Sequence, residues 1–448
     1  MPDLIIRNGI IIQPNQVIKA DLVIEDGFIH DIVEGTTLKA KDEINAEGLH
    51  IFPGLIDTHV HFNEPGRTKW EGIASGSSAL AAGGGSVFFD MPLNSDPPLL
   101  KDEDFKAKLD AATASSVTDF AFWGGLTPDN LEHLEDLAEL GVIGFKAFMS
   151  NSGIPEFKAT DDLSLYRGML KAAQLGLPVA LHAESEAITG RLTNEARSLG
   201  LIDIEAYLNS RPVIAELEAI NRALLFAQET GCDLHIVHVS SARGLALIAD
   251  ARMLGQSVSS ETCAHYLHLT DQDVVRLGAI AKCAPPLRSD NERHALWQAL
   301  LRGEVDMIAS DHSPGHPDLK DKNDFFNVWG GISGVQSSLN VLFTHRQEQG
   351  LSLTKIAELI ASKAAERFRL AHKGRLEPNY EADLSLVNVD ESFQLNAEDL
   401  FYKHKLSPYV GETFRGTIKQ TLLRGKTLFK EGKMTAEKAG KLLKPFIF

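Results

Sequence analysis

The sequence predicts an α/β protein: a (β/α)8 barrel of the TIM type, with a small β-sandwich formed by both chain ends. Three observations predict it. The middle of the chain alternates short apolar runs with amphipathic stretches, the mark of repeated βα units. Both ends read as β structure, and neither is long enough for a comfortable core of its own. The chain has 448 residues, 44% hydrophobic and 23% charged, an ordinary globular composition.

The first fifty residues carry Leu4–Arg7, Gly9–Ile12 and Asp21–Glu25. These are β-branched-rich runs, divided by turn formers such as Gln13-Pro14-Asn15 and Glu25-Asp26-Gly27. The last stretch carries the short strands Ala382–Val387 and Gln420–Gly425. The economical arrangement pairs residues 1–52 with 376–448 and inserts 53–375 between them as the barrel. Eight barrel strands are expected, around Leu55–Ile56, Ser86–Phe89, Asp119–Phe122, Val142–Phe145, Pro178–Leu181, Leu234–Val237, Ser257–Ser260 and Asp306–Ala309. Helical stretches such as Leu131–Glu139, Leu163–Leu175, Glu216–Gln228 and Arg243–Met253 lie between them. The inserted length is slightly above the roughly 250 residues typical of this barrel. An open doubly wound sheet is the alternative, but no Gly-rich phosphate turn follows the first strand.

The formal net charge is −17, without basic clusters, which argues against nucleic acid or an anionic membrane as partner. Cys232, Cys263 and Cys283 are sparse, odd in number and not in C-x-x-C spacing. That suits a reducing compartment. The start, Met1-Pro2-Asp3-Leu4, does not read as a signal peptide, and no run approaches the roughly 18 apolar residues of a membrane span. A cytoplasmic protein is expected.

The strongest local motif is Asp57-Thr58-His59-Val60-His61. Side chains at i and i+2 of a strand share a face, so His59 and His61 project together at the carboxyl end of the first strand. Paired imidazoles suit Zn²⁺ and its neighbours. Other polar residues recur at the same place in the unit: Lys146 after Phe145, His182 after Leu181, His238 after Val237 and Asp311 after Ser310. In a barrel such strand-end residues mark the catalytic face.

Lys146 is flanked by Phe145 and by Ala147-Phe148-Met149. Apolar surroundings lower a lysine pKa, and the neutral amine can take up CO2 as a carbamate. A carbamate has two oxygens that can bridge two cations. Four histidines, Asp311 and that group are ligands enough for two divalent metals sharing a hydroxide. Asp311 can then also shuttle the proton to a leaving nitrogen.

With these residues the sequence resembles the cyclic amidohydrolases, a family of allantoinases, hydantoinases or dihydropyrimidinases, and dihydroorotases. The likeness runs from Pro53-Gly54 through Ala309-Ser310-Asp311-His312 to Ala382-Asp383-Leu384. It implies His59, His61 and Asp311 around one metal and His182 and His238 around the other, with carboxylated Lys146 as the bridge. No ligand position departs from the family pattern. It also implies two divalent ions per chain (Zn first, with Mn, Co or Fe as alternatives), a small cyclic amide substrate and a homotetramer.

Within the family, Asn63-Glu64-Pro65-Gly66-Arg67 to Trp70-Glu71-Gly72, Asp90-Met91-Pro92-Leu93-Asn94 and Lys146-Ala147-Phe148-Met149-Ser150 resemble the allantoinase branch. The expected reaction is therefore opening of the hydantoin ring of allantoin, with another hydantoin, a dihydropyrimidine or dihydroorotate as alternative rings. Asn63 stands where dihydroorotase-like chains carry an arginine for the substrate carboxylate, with Arg67 as the other cation nearby. Met149 and Ser150 stand where hydantoinase-like chains carry a tyrosine. Ala284 replaces a common serine in Cys283-Ala284-Pro285-Pro286, which leaves a backbone contact or a weaker one. Trp329 and Gly330, in Asn327-Val328-Trp329-Gly330-Gly331, are expected to close the pocket. A non-catalytic scaffold of the same fold is the rival class. It predicts lost ligands, whereas all six are present.

Overall fold

The computed structural model describes residues 1–435 and 438–446. Five strands come first: β1 (Leu4–Ile12), β2 (Val17–Glu25), β3 (Phe28–Val33), β4 (Asp42–Asn45) and β5 (His50–Pro53). The expected break within β1 is only an irregularity between Ile6 and Gly9, where Asn8 takes φ 59°. The chain then enters eight strands: β6 (Leu55–Val60), β7 (Gly85–Asp90), β8 (Asp119–Gly125), β9 (Gly144–Phe148), β10 (Val179–His182), β11 (Leu234–Ile236), β12 (Val258–Cys263) and β13 (Met307–Ala309). They pair in chain order, all parallel. The ring closes where Val60 bridges His312 in parallel and the His61 N–H donates to the His312 carbonyl at 2.8 Å. An open sheet has no such return contact.

β6 to β10 are buried along their whole length, as parallel strands covered on both faces must be. Helices return the chain between them. Asp162–Leu175 starts where Asp161 accepts the Ser164 N–H at 2.8 Å and stops at Gly176, whose φ of 65° favours a residue without Cβ. The stretch expected as one helix from Leu131 opens with a 3-10 turn, Leu131–His133, and continues as Leu134–Leu140.

The remaining strands are β14 (Leu384–Gln394), β15 (Thr413–Leu423), β16 (Lys426–Lys430) and β17 (Lys433–Met434). β14 pairs antiparallel with β5 in the register Leu384 to Pro53. This joins the two chain ends into one nine-stranded sheet. It holds its own apolar cluster, including Leu4, Ile6, Leu22, Ile51, Leu384 and Leu422, apart from the main core. No helix among the described residues is long and apolar enough to cross a membrane.

Candidate metal centre

His59 and His61 leave the end of β6 side by side, with ring centroids 5.3 Å apart. Asp311 arrives two residues after β13 on a left-handed backbone, φ 44°. Its Oδ1 lies 3.3 Å from His59 Nε2 and 3.4 Å from His61 Nε2. His238 also has a left-handed backbone, φ 40°, just past β11. Non-glycine residues in that region cost energy and gather where a site requires them. His238 Nε2 lies 3.0 Å from His182 Nδ1, and the His59 and His238 rings are 5.3 Å apart, so the two groups adjoin.

Two carboxylates set the tautomers. Burial alone would raise Glu261, but His59 and His235 outweigh it and hold the acid well below the carboxylate range. An ionised carboxylate only accepts, so His59 Nδ1–H donates to Glu261 Oε1 at 2.6 Å and Nε2 keeps its lone pair. Thr58 and His235 donate to the other oxygen. Burial likewise opposes Arg211 and His182 at Glu184, and the cations win, holding it at about 2. His182 Nε2–H donates to Glu184 at 2.8 Å, which frees Nδ1. Burial lowers His59, His182 and His238, so their lone pairs are available at neutral pH.

Lys146 is fully buried, and its Nζ has no hydrogen-bond partner among the described residues. Burial pulls it from 10.5 to about 7, against the opposing pull of Asp311 and Glu261. Its charge depresses His59, His182 and His238 alike, which puts it electrostatically between the two groups. A native core rarely leaves an ammonium alone. An orphaned amine among converging lone pairs fits a carbamate bridging cations. Lys146 is not at the end of a strand Val142–Phe145. The strand begins at Gly144, because Gly141 (φ 98°) first ends the preceding helix, and Lys146 sits at its centre.

These residues open into a cavity of about 590 Å³, lined by His59, His61, His182, His238 and Asp311. Ala284, Trp329 and Gly330 line it as well. Asn63, Met149 and Ser150 are not among its lining residues. Asn63 is buried at φ 63° and donates to the Pro314 carbonyl at 3.1 Å, so it braces the segment after β13. Met149 donates its N–H to the His182 carbonyl, and the lining residues are the next three, Asn151, Ser152 and Gly153. Arg67 lies outside the lining too, 3.4 Å from Glu156 and against Trp70.

Sequence reasoning missed Glu261, Glu184 and Arg211. Glu184 stands two residues after His182, the spacing that singled out His61 after His59. Glu261 directly follows the run expected as the seventh strand. No local signal marks Arg211. Also missed was the helix Glu186–Ser198, whose Glu186, Thr189, Gly190, Thr193, Asn194 and Arg197 form one cavity wall at helical spacing.

A closed parallel barrel with an imidazole–carboxylate cluster at its strand ends defines a class, the barrel hydrolases that work through divalent metal. The chain belongs to the amidohydrolase family, whose pattern matches residues 50–428. It is 55% identical over 447 residues to an allantoinase of Solibacter usitatus (strain Ellin6076), covering 99% of this chain and 97% of the other. It is 50% identical to an allantoinase of Rubrobacter xylanophilus (strain DSM 9941), covering 99% and 98%. Among solved structures, an L-hydantoinase (dihydropyrimidinase) from Arthrobacter aurescens superposes with a TM-score of 0.96 at 32% identity, covering 99% of this chain and 100% of that one.

Proposed function

We propose that the protein hydrolyses the cyclic amide bond of allantoin to give allantoate. The observation that carries the chemistry is the convergence of His59, His61 and Asp311 beside the unpartnered, buried Lys146. In this reading His59, His61 and Asp311 would hold one divalent ion and His182 and His238 a second, with Lys146 as its carbamate supplying a ligand common to both. When bound, the ions make a nucleophile of water at neutral pH and polarise the scissile carbonyl. Zn²⁺ suits the donor set first, with Mn, Co or Fe as alternatives. By the family resemblance the working form is a cytoplasmic homotetramer.

The chain's own groups do the rest. Asp311, kept ionised by His59 and His61 against the opposing effect of burial, accepts the proton of the attacking water and returns it to the leaving ring nitrogen. Glu261 and Glu184 hold the imidazoles in one tautomer throughout. Ala284, with no hydroxyl, offers the ring its backbone groups. Trp329, donating to the Ser313 carbonyl at 3.2 Å and packed edge-on to Trp70, keeps water from the rim.

Both relatives above carry the allantoinase name, which supports that ring. So does the state of the cavity's cations. Arg211 is paired with Glu184, Arg197 with Asp324 and Asn327, and Lys282 with backbone carbonyls. Each of these charges already has a partner, so a substrate carboxylate would have to compete for it, and an unpaired buried carboxylate is costly. Ring-opening assays on the metal-loaded protein should favour allantoin over dihydroorotate by at least about a hundredfold in kcat/KM. Equal efficiency on the two would overturn the allantoin reading and leave the metal chemistry standing.

A further inference from the structure

The segment 325–331 supplies six residues of the cavity wall, Phe326 to Gly331, with no regular structure beyond the short 3-10 turn Phe325–Asn327. A wall without a ladder needs another source of order. Two lysines provide it. Lys282 Nζ donates to the carbonyls of Phe325 at 2.6 Å, Val328 at 2.6 Å and Phe326 at 3.2 Å. Lys320 Nζ donates to those of Gly331 at 2.8 Å, Trp329 at 2.9 Å and Ala279 at 3.1 Å.

An ammonium has three N–H bonds and no acceptor. Each lysine therefore spends every donor on one carbonyl, and five of the six carbonyls belong to this segment. Neither lysine has a carboxylate partner among the described ion pairs. Lys282 instead lies over the Tyr207 ring, 4.5 Å from its centroid. The Lys282 carbonyl adds to the hold by accepting the Gly331 N–H at 2.7 Å, and the Leu319 carbonyl accepts the Trp329 N–H at 2.9 Å. Gly331 sits so close to Ser313 that a Cβ there would meet its carbonyl. An ammonium directs its three N–H bonds tetrahedrally, which a planar guanidinium does not reproduce.

We propose that Lys282 and Lys320 are positioning residues for the ring-opening reaction, two ammonium clamps that hold the 325–331 wall in its substrate-binding form. Removing a clamp leaves buried carbonyls unmade and the wall free to sample other shapes, which weakens binding more than chemistry. The proposal rests on the cavity being the substrate site.

The test uses Lys282→Met and Lys320→Met in the full, metal-loaded chain, with two readouts. Each variant should raise KM for allantoin roughly tenfold while kcat changes less than about threefold, the pattern of lost binding. Amide hydrogen exchange within 325–331, read without substrate, should speed up at least about tenfold, with the barrel strands unchanged. Unchanged KM, or unchanged exchange in the segment, overturns the proposal, and so does a lowered Tm alone. If Lys282→Met does not fold, Lys320→Met decides the matter, since Lys320 is only half-buried and lies outside the cavity lining. Failure of wild type on allantoin sinks the substrate reading, and the exchange experiment still judges the clamps.

Discussion

Lys146 is the residue at which function and stability oppose each other most directly. In the metal-free, unmodified protein its ammonium is buried over the Phe148 ring with no hydrogen-bond partner among the described residues, and burial lowers its pKa from 10.5 to about 7. The unfolded chain therefore binds the extra proton between pH 7 and 10.5, and the stability of the folded form rises with pH across that window. Below pH 7 both states are charged and the folded state bears the full cost of burial. Metal-free Lys146→Met should thus melt above metal-free wild type at pH 6, and the gap should close as pH approaches 10. Lys282 and Lys320 are common to both proteins and cancel from the comparison. The same variant should fail to hold two divalent ions and lose nearly all turnover. Melting curves and metal analysis test both halves. An ordinary ammonium with a hidden partner would instead make the variant less stable at every pH. His59 and His61 were legible as an i, i+2 pair at the end of the first strand, and Asp311 as a polar residue just past the eighth. Glu261 was not, because the alternation that reveals a strand face says nothing of which buried acid meets which imidazole across the barrel.

The same division between local and long-range information governs the elements. Strands buried on both faces announce themselves as apolar runs, so all eight barrel strands were legible to within a few residues. Their ends were not, because the backbone stops pairing where glycines and left-handed residues turn it. The fourth strand starts at Gly144 because Gly141 closes a helix, and the seventh runs on to Cys263 through Glu261. The first barrel helix, Ile73–Ala82, shows what a strand end requires of its neighbour. Gly76 lies so near Phe62 that a Cβ would overlap the ring. Phe62 directly follows His61 and packs on Phe88 and His312, with centroids 4.6 and 5.8 Å away. Gly76→Ala should therefore cost about 1–3 kcal/mol, the usual penalty of overpacking, despite alanine's better helix propensity. Because the displaced ring adjoins His61, kcat should fall along with the midpoint of urea unfolding. A gain in stability, as propensity alone predicts, would show that this helix has room to move.

At the scale of the molecule, the barrel and the terminal sheet are joined by charge as well as by apolar packing. Lys373 is almost wholly buried, and its Nζ meets Asp119 at 2.7 Å, Glu381 at 2.7 Å and Asp383 at 2.5 Å. Asp119 opens β8 of the barrel, Asp383 directly precedes β14 of the sheet, and Arg424 adds a second cation 2.5 Å from Asp119. The final segment enters the same knot: Asp119 accepts the Lys441 N–H at 2.9 Å, and Leu442 bridges Phe120. Three carboxylates that close would offer a cation site, but the ammonium of Lys373 already fills it. Nothing in the sequence around Lys373 announces this, since its partners stand 254, 8 and 10 residues away. Removing one partner of a buried ionic group leaves the others uncompensated, at about 3–5 kcal/mol. Lys373→Met should lower the urea midpoint accordingly, and Asp383→Asn in the same chain should recover part of the loss, because Asp383, unlike Asp119 and Glu381, has no ion pair with Arg424 to fall back on. The knot lies at the opposite end of β8 from the metal centre, so kcat per folded molecule should stay within about twofold of wild type while stability falls. Lys373→Met that is as stable as wild type would mean the carboxylates protonate at little cost, and that apolar packing alone, through sheet residues such as Phe52, Val387 and Ile418 in the main core, holds the sheet to the barrel.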